Sequence, residues 1–514
     1  MTTRRRDVVV VGAGHNGLIA ACYLAGAGLD VEVLERDRVA GGAVSTVERW
    51  PGVRVDRGSS IHVMIRQTDI VDELRLAEVG LQYDDVEPWA TLPHAETPLR
   101  FAASLDETCE SIAAACGPAD ADAYYRFVSE WRPKVRAFLA LGEGPPTAAR
   151  LGRALWRIGR RPAGGRGELI RASMQPAQQL LEQQFRDPHL RAALGWWAAQ
   201  AGPPPHALGT APTAGTLAMF HLRPAGRPRG GSGRLSEALV ERLTRSGGRL
   251  RTDCAVTAIR PMNDGAEVVT SAGEPIAARA VVAACHAVET ARLLGDDAAA
   301  GRIRVGHGLG MVVRLLTDAL PTYRPDTAGV HTSMQLLVDS TDQLRAAYGD
   351  FLRREPPTDP PLVVMTPSAT DDSLAPPGRH VVTAWAQWHP VTLATGSWDQ
   401  RRDEAADAIV ATIERWAPGF SGHVLDRVVQ APPDLERELG LVAANVMHVE
   451  TELDAMFGLR PLPGWSAYRT PAEHVYLCGA STHPGGGVWG VSGRSVARIV
   501  HRDLGRRRRF HNTR

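Results

Sequence analysis

The chain has 514 residues, 44% of them hydrophobic, and 58 Lys and Arg balance 57 Asp and Glu to a formal net charge of +1. That length has room for two or three domains with ample core, and the even charge marks no nucleic-acid binder. A single lysine, Lys134 in "WRPKVR", excludes Schiff-base and Walker-loop chemistry, and six cysteines without a C-x-x-C exclude a dithiol relay.

In chain order, the run VVVV at 8–11 reads as a strand buried on both faces. Gly12, Gly14 and Gly17 then fill G-x-G-x-x-G before an apolar helix. The first glycine permits the tight turn, the second lets the backbone approach a pyrophosphate, and the third lets the helix pack on the strand. His15 and Asn16 stand inside the loop, where the helix start points its free N–H groups at phosphates. A second strand at 31–34 ends at Glu35, followed by Arg36. A carboxylate there accepts hydrogen bonds from ribose hydroxyls and repels a 2′-phosphate, which disfavours NADP. These residues predict one dinucleotide site.

The next stretch, "ERDRVAGGAVST", sets Gly41 and Gly42 shortly after the acid. The doublet resembles that of the FAD-binding glutathione-reductase-like and amine-oxidase-like flavoproteins, where it lets a loop run beside the flavin's phosphate and ribitol. Such proteins mostly carry Arg after the doublet; Ala43 stands here, so the resemblance does not assign the group that balances the diphosphate. "DRGSS", with Ser59 and Ser60, closes the first part of an FAD-binding domain at 1–65. A mainly helical substrate or cap region is expected at 66–220 and a second FAD-binding part at 221–300, opened by "GGSGRLSEALVERLTRSGGRLRTDCAVTAI". An α+β substrate domain at 301–465 and a third FAD-binding part at 466–505 follow. The basic tail at 506–514, with arginines at 506–509, is expected as a solvated, disordered end.

"GAGHNGLIAACYLAGAG", the "GGSGRLSEAL" segment, "SAYRTP" and "LCGASTHPGGGVWGVSG" together resemble the phytoene-dehydrogenase-related flavoproteins, including the pyridine nucleotide-disulfide oxidoreductase domain-containing protein 2 branch. The resemblance implies an α/β fold: a Rossmann-like FAD-binding domain of glutathione-reductase/amine-oxidase type with an inserted α+β substrate domain. It implies FAD and a hydrophobic polyene-like substrate that is desaturated, saturated or isomerised; with no cysteine or histidine plainly placed for a flavin link, the FAD is expected to be non-covalent. Carried over, it puts Val256 against the adenine and Gly479 and Ala480 near the diphosphate and ribitol. Val488 and Trp489, after Gly487, should begin a helix aimed at the isoalloxazine, where it would stabilise negative charge on N1 and O2 of a reduced flavin. Amine oxidation by the same fold, and a non-catalytic FAD-stabilised protein that binds a partner, are the alternatives.

His62, His448 and His483 are the candidate acid or base groups, although hydride removal from a hydrocarbon needs chiefly a positioned C–H. Trp196 with Trp197, and Trp385 with Trp388, are large core residues by default and could line an apolar tunnel. Strand alternation puts Thr383, Trp385, Gln387 and His389 on one face, the one expected to look into the cavity. "VGHGLGMVV" at 305–313 imitates a nucleotide loop but lacks a strand, a helix and a following acid. No metal site is expected. Unpaired cysteines, no secretory segment and no long apolar run predict a cytoplasmic protein without a transmembrane span; the basic end leaves peripheral membrane contact open, and no oligomeric state is read.

Overall fold

In the computed structural model, the described residues are 5–93, 96–158, 165–306, 309–324, 327 and 329–511. The β-branched run becomes the strand Arg6–Val11, whose Val8, Val9 and Val10 are fully buried. Parallel strands lie in the order Arg249–Arg251, Val31–Leu34, Arg6–Val11, Pro275–Ala283 and Val475–Leu477. Pro275–Ala283 also carries an antiparallel pair, Gly265–Thr270 and Val256–Met262, at its N-terminal half. Distant pieces of the chain thus build one Rossmann-like sheet.

The helix His15–Gly26 packs between that sheet and the helices Gly233–Arg245 and Val491–His511. A Cβ at Gly493 would overlap the backbone of Asn16, so the last helix sits directly against the first. The expected tail is instead helical: Val491–His511 runs through the arginines at 506–509, and only 512–514 lie outside the described residues. Arginine is a good helix former and nothing there breaks the helix. The boundaries expected at 300 and 505 both fall inside helices, Asp297–Arg302 and Val491–His511.

A second sheet runs in the order Val424–Gln430, Gly310–Thr317, His380–Gln387, Leu362–Met365, Met334–Leu337, Ala90–Leu92 and Leu99–Phe101. Two of these strands come from the region expected as mainly helical, and Ala90–Leu92 pairs in parallel with Met334–Leu337. Both are three residues long, too short to show a period of two. The helices of the same region bury an aromatic cluster against them, with Trp89 stacked on Phe220 at 4.0 Å. Of the segment that imitates a nucleotide loop, His307 and Gly308 lie outside the described residues, and from Gly310 the chain is a strand inside this sheet.

Candidate FAD cradle and active-site cavity

Gly12 follows the first strand with its N–H donating to Leu34 O at 2.8 Å and a φ of +100°, a conformation that favours glycine. A Cβ at Gly17 would overlap Gly12 O and stand 2.8 Å from the Ala284 Cβ. At Gly14 a Cβ would meet nothing within 4 Å. Gly14 is also the N-cap of His15–Gly26, with no side-chain cap and no acid in the first turn. The helix therefore keeps its first N–H groups and positive dipole end for an anion.

Gly41 N–H donates to Ala13 O at 2.8 Å, setting the glycine doublet against this loop. Glu35, 8% exposed, accepts from the N–H groups of Ala13 at 2.6 Å and Asp37 at 2.9 Å; each oxygen keeps a lone pair for a ribose hydroxyl. Backbone bonds between Glu35 and both Arg251 and Cys254 bring the chain that leads to Val256 to the same end. The side-chain oxygens Asn16 Oδ1 and Ser60 Oγ are buried without a protein partner. An uncapped helix start, an open Gly14 and a carboxylate at the strand end fit a dinucleotide. Arg36 is exposed and passes beside Gly440.

The glycines separate folding from binding. Gly14→Ala, at a φ of −63° and in open space, should leave urea stability unchanged while weakening FAD at least about tenfold, or about 1.4 kcal/mol, because its methyl enters the anion's approach. Gly17→Ala should destabilise the apoprotein itself by about 1–3 kcal/mol through overpacking. Equal FAD affinity in Gly14→Ala and wild type would remove that loop from the site.

A cavity of about 280 Å³ lies where the two sheets meet. His15, Ala43, Ser59, Ser60, Ala480, Gly487 and Val488 line it from the loops of the Rossmann-like part. Trp196 lines it from the helical region, Val312, Met334, Val363 and Trp385 from the second sheet, and Leu439 from the end of the helix Pro432–Leu439. Trp197 and Trp388 are buried elsewhere, their indole N–H groups donating to Thr216 Oγ1 at 3.0 Å and Gly202 O at 2.7 Å. His389 departs from the expected face: Trp388 turns at a φ of +61°, which breaks the alternation, and His389 packs fully buried near Trp398.

Val488 and Trp489 do not begin the last helix. Gly490, at a φ of +84°, separates them from Val491–His511, and the Trp489 ring packs on Phe138 at 5.5 Å. Gly479 adjoins the helix start through its N–H, which donates to Ser492 Oγ at 2.9 Å. Gly42 accepts Ser45 Oγ at its carbonyl, 2.6 Å away.

Of the three histidines, only His448 lines the cavity. Its Nδ1 lies 3.2 Å from Ser481 Oγ, its ring stacks on His286 at 5.0 Å, and its carbonyl accepts from His286 Nε2 at 2.9 Å. Burial, then the neighbouring His286 and Arg460, hold its pKa well below the ordinary value, so it is neutral. His483 donates from Nε2 to Leu141 O at 3.2 Å, and burial lowers its pKa to about 4. His62 is fully buried, with Nδ1 2.7 Å from Tyr83 OH and Nε2 2.8 Å from Ser232 Oγ. Neither belongs to the cavity lining.

Sequence reasoning missed Arg460. It is 1% exposed, and its guanidinium donates to five carbonyls: Thr482, Val449, Glu450, Met447 and Ala480. It therefore ties the cavity-lining Met447 and His448 to the turn that carries Ala480. Burial lowers its pKa to about 10, which leaves it charged at neutral pH. An arginine in "LRPLPGW" gives no sign of partners on two remote loops. Lys134, by contrast, sits in Pro118–Gly142, paired with Glu130 at 2.6 Å and over the Trp131 ring.

Among the described residues, no group of His, Cys, Asp and Glu could hold a metal, and no helix is long and apolar enough to cross a membrane. Residues 17–501 match the family described as flavin containing amine oxidoreductase. The chain is 32% identical over 549 residues to the pyridine nucleotide-disulfide oxidoreductase domain-containing protein 2 of Rattus norvegicus, covering 97% of this chain and 94% of that protein. It is 28% identical over 500 residues to the phytoene dehydrogenase of Streptomyces griseus, covering 94% of this chain and 92% of that one. The solved structure of wild-type putrescine oxidase bound to putrescine shares the fold, with a TM-score of 0.62 at 17% identity and coverage of 98% and 100%. Glycine loop, doublet and cavity thus sit in a chain that belongs to the flavin containing amine oxidoreductase family, an FAD-dependent oxidoreductase with a Rossmann-like FAD-binding domain and an inserted substrate domain.

Proposed function

We propose that the protein oxidises, reduces or isomerises a hydrophobic, conjugated metabolite by hydride transfer to or from flavin N5, and that it holds FAD non-covalently through Gly12, Gly14, Gly17, Glu35, Gly41, Gly42, Ala480 and Val488. The observation that carries this is the cavity lining. Tryptophans, valines, leucines and methionines make most of it, and no Asp, Glu or Lys belongs to it. Such walls bind an apolar chain by removing its surface from water, at about 25 cal/mol per Å². They offer no counter-charge to an ammonium, which argues against amine oxidation. The phytoene dehydrogenase relative points the same way.

FAD supplies the two-electron acceptor; the chain's residues supply position. Trp196 and Trp385 wall the apolar substrate so that its remote length orients the reacting C–H, and the neutral His448 adds a polar edge without adding a charge. No cysteine lines the cavity, which supports non-covalent FAD; acid precipitation should release a yellow supernatant. The main test is anaerobic. Oxidised holoenzyme is mixed with conjugated polyenes and, separately, with putrescine, and the flavin band is followed; the reduced enzyme is then mixed with the same compounds. Bleaching or reoxidation by a polyene is expected. Bleaching by the amine, with hydrogen peroxide on reoxidation and no polyene reaction in either state, would replace this reading with amine oxidation.

A further inference from the structure

Any flavin oxidoreductase moves protons as well as electrons, and an apolar cavity conducts protons poorly. One side of this cavity adjoins a chain of groups that each donate and accept and that ends at the half-buried Tyr83. Ser59, which lines the cavity, has its Oγ 2.6 Å from Ser232 Oγ. Ser232 Oγ is 2.8 Å from His62 Nε2, and His62 Nδ1 is 2.7 Å from the hydroxyl of Tyr83. Ser232 and His62 are fully buried, whereas Tyr83 is half-buried on the outer pair Tyr83–Asp85 and Gly226–Pro228, with Arg66 over its ring at 5.2 Å. Ser232 is a helix N-cap whose hydroxyl makes no capping bond, so its side chain is committed to this chain alone.

We propose that Ser59, Ser232, His62 and Tyr83 form a proton relay between the flavin cavity and solvent. The relay works without charging any member. With Tyr83 donating to Nδ1, Nε2–H donating to Ser232 and Ser232 donating to Ser59, the Ser59 proton passes into the cavity. The Ser232 proton then moves to Ser59, the Nε2 proton to Ser232, the Tyr83 proton to Nδ1, and one proton from water to Tyr83. One proton enters, one leaves, and His62 changes tautomer; the reverse sequence carries a proton out. Burial, with His15 and Arg227 nearby, lowers the His62 pKa to about 3, which keeps the ring neutral and suits a tautomer exchange. Burial likewise raises the Tyr83 hydroxyl above its ordinary value, so it stays protonated. His62 is thus a relay residue and not the base that touches substrate.

The relay is independent of the substrate's identity and is tested without one. Two equivalents of reduced methyl viologen deliver two electrons and no proton, so the flavin must draw one proton from solvent. In weakly buffered, anaerobic holoenzyme, flavin bleaching and proton uptake by an indicator dye are followed together. In the wild type, uptake should keep pace with bleaching. In Ser232→Ala and in Tyr83→Phe, which keeps the ring, bleaching should hold its rate while uptake lags at least about tenfold. A role confined to packing would lower stability or FAD content and would leave the two signals together. Uptake that tracks bleaching in either folded variant as it does in the wild type would overturn the relay and assign the proton to water in the cavity.

Discussion

Acidification from pH 7.5 to 5.5 should remove more than about 5 kcal/mol of unfolding free energy, measured by urea denaturation. Histidines held low by burial carry the effect, chiefly His62, His286, His389 and His483, with His15 and His448 adding to it. Burial lowers the folded pKa to about 3 in His62 and about 4 in His286, His389 and His483. Between those values and the ordinary 6.5, the unfolded chain binds protons that the folded chain refuses, so stability rises with pH and falls on acidification. The loss begins near pH 6.5 and continues to about pH 4. At pH 5.5 each histidine contributes about 1.4 kcal/mol. His389→Phe tests the assignment, because it keeps a ring in the fully buried site near Trp398 and removes one titrating group. The loss between pH 7.5 and 5.5 should shrink by about 1.4 kcal/mol in that variant. A stability flat between pH 7.5 and 5.5 would mean that these rings are charged, or hydrated, in the folded protein.

The nucleotide loop was legible because its chemistry is local. Gly12, Gly14, Gly17 and Glu35 fall within one strand, turn, helix and strand, and the close contacts at Gly17 are made with Gly12 and with Ala284 just beyond the neighbouring strand Pro275–Ala283. The Rossmann-like assembly from three stretches of chain was legible for the same reason, since each stretch carries its own strand and helix pattern. What the sequence did not show are the features made by tertiary contact. The strands Ala90–Leu92 and Leu99–Phe101 owe their state to the sheet they join. Alternation put Trp385 on the cavity face and failed for His389, because one left-handed residue, Trp388, lies between them. His62 drew notice as a base, and only its partners at both ring nitrogens turn that expectation toward a relay.

Arg460→Met should destabilise the folded protein by about 3–5 kcal/mol and lower its FAD content. The mutation removes a buried cation and the donors of five carbonyls at once. Hydrogen bonds to a charged donor contribute about 1.5–3 kcal/mol each, but the five share one side chain, and the turn can partly relax, so the sum is not reached. The loss reaches the cofactor because Ala480 and Met447 both line the cavity and are both held by the same terminal nitrogen, at 2.9 Å and 2.8 Å. Without that nitrogen, Met447 loses its tie to the turn at 479–482, and His448 keeps only its contact with Ser481. Arg460→Lys separates charge from geometry: it keeps the cation but brings three donors for five carbonyls, in a shape that cannot reach both loops as a planar fork does. It should recover part of the urea stability and less of the FAD content. Wild-type FAD content and stability in Arg460→Met would show that the two loops hold their places unaided. Equal values in Arg460→Lys and wild type would assign the effect to charge, with the fork geometry dispensable.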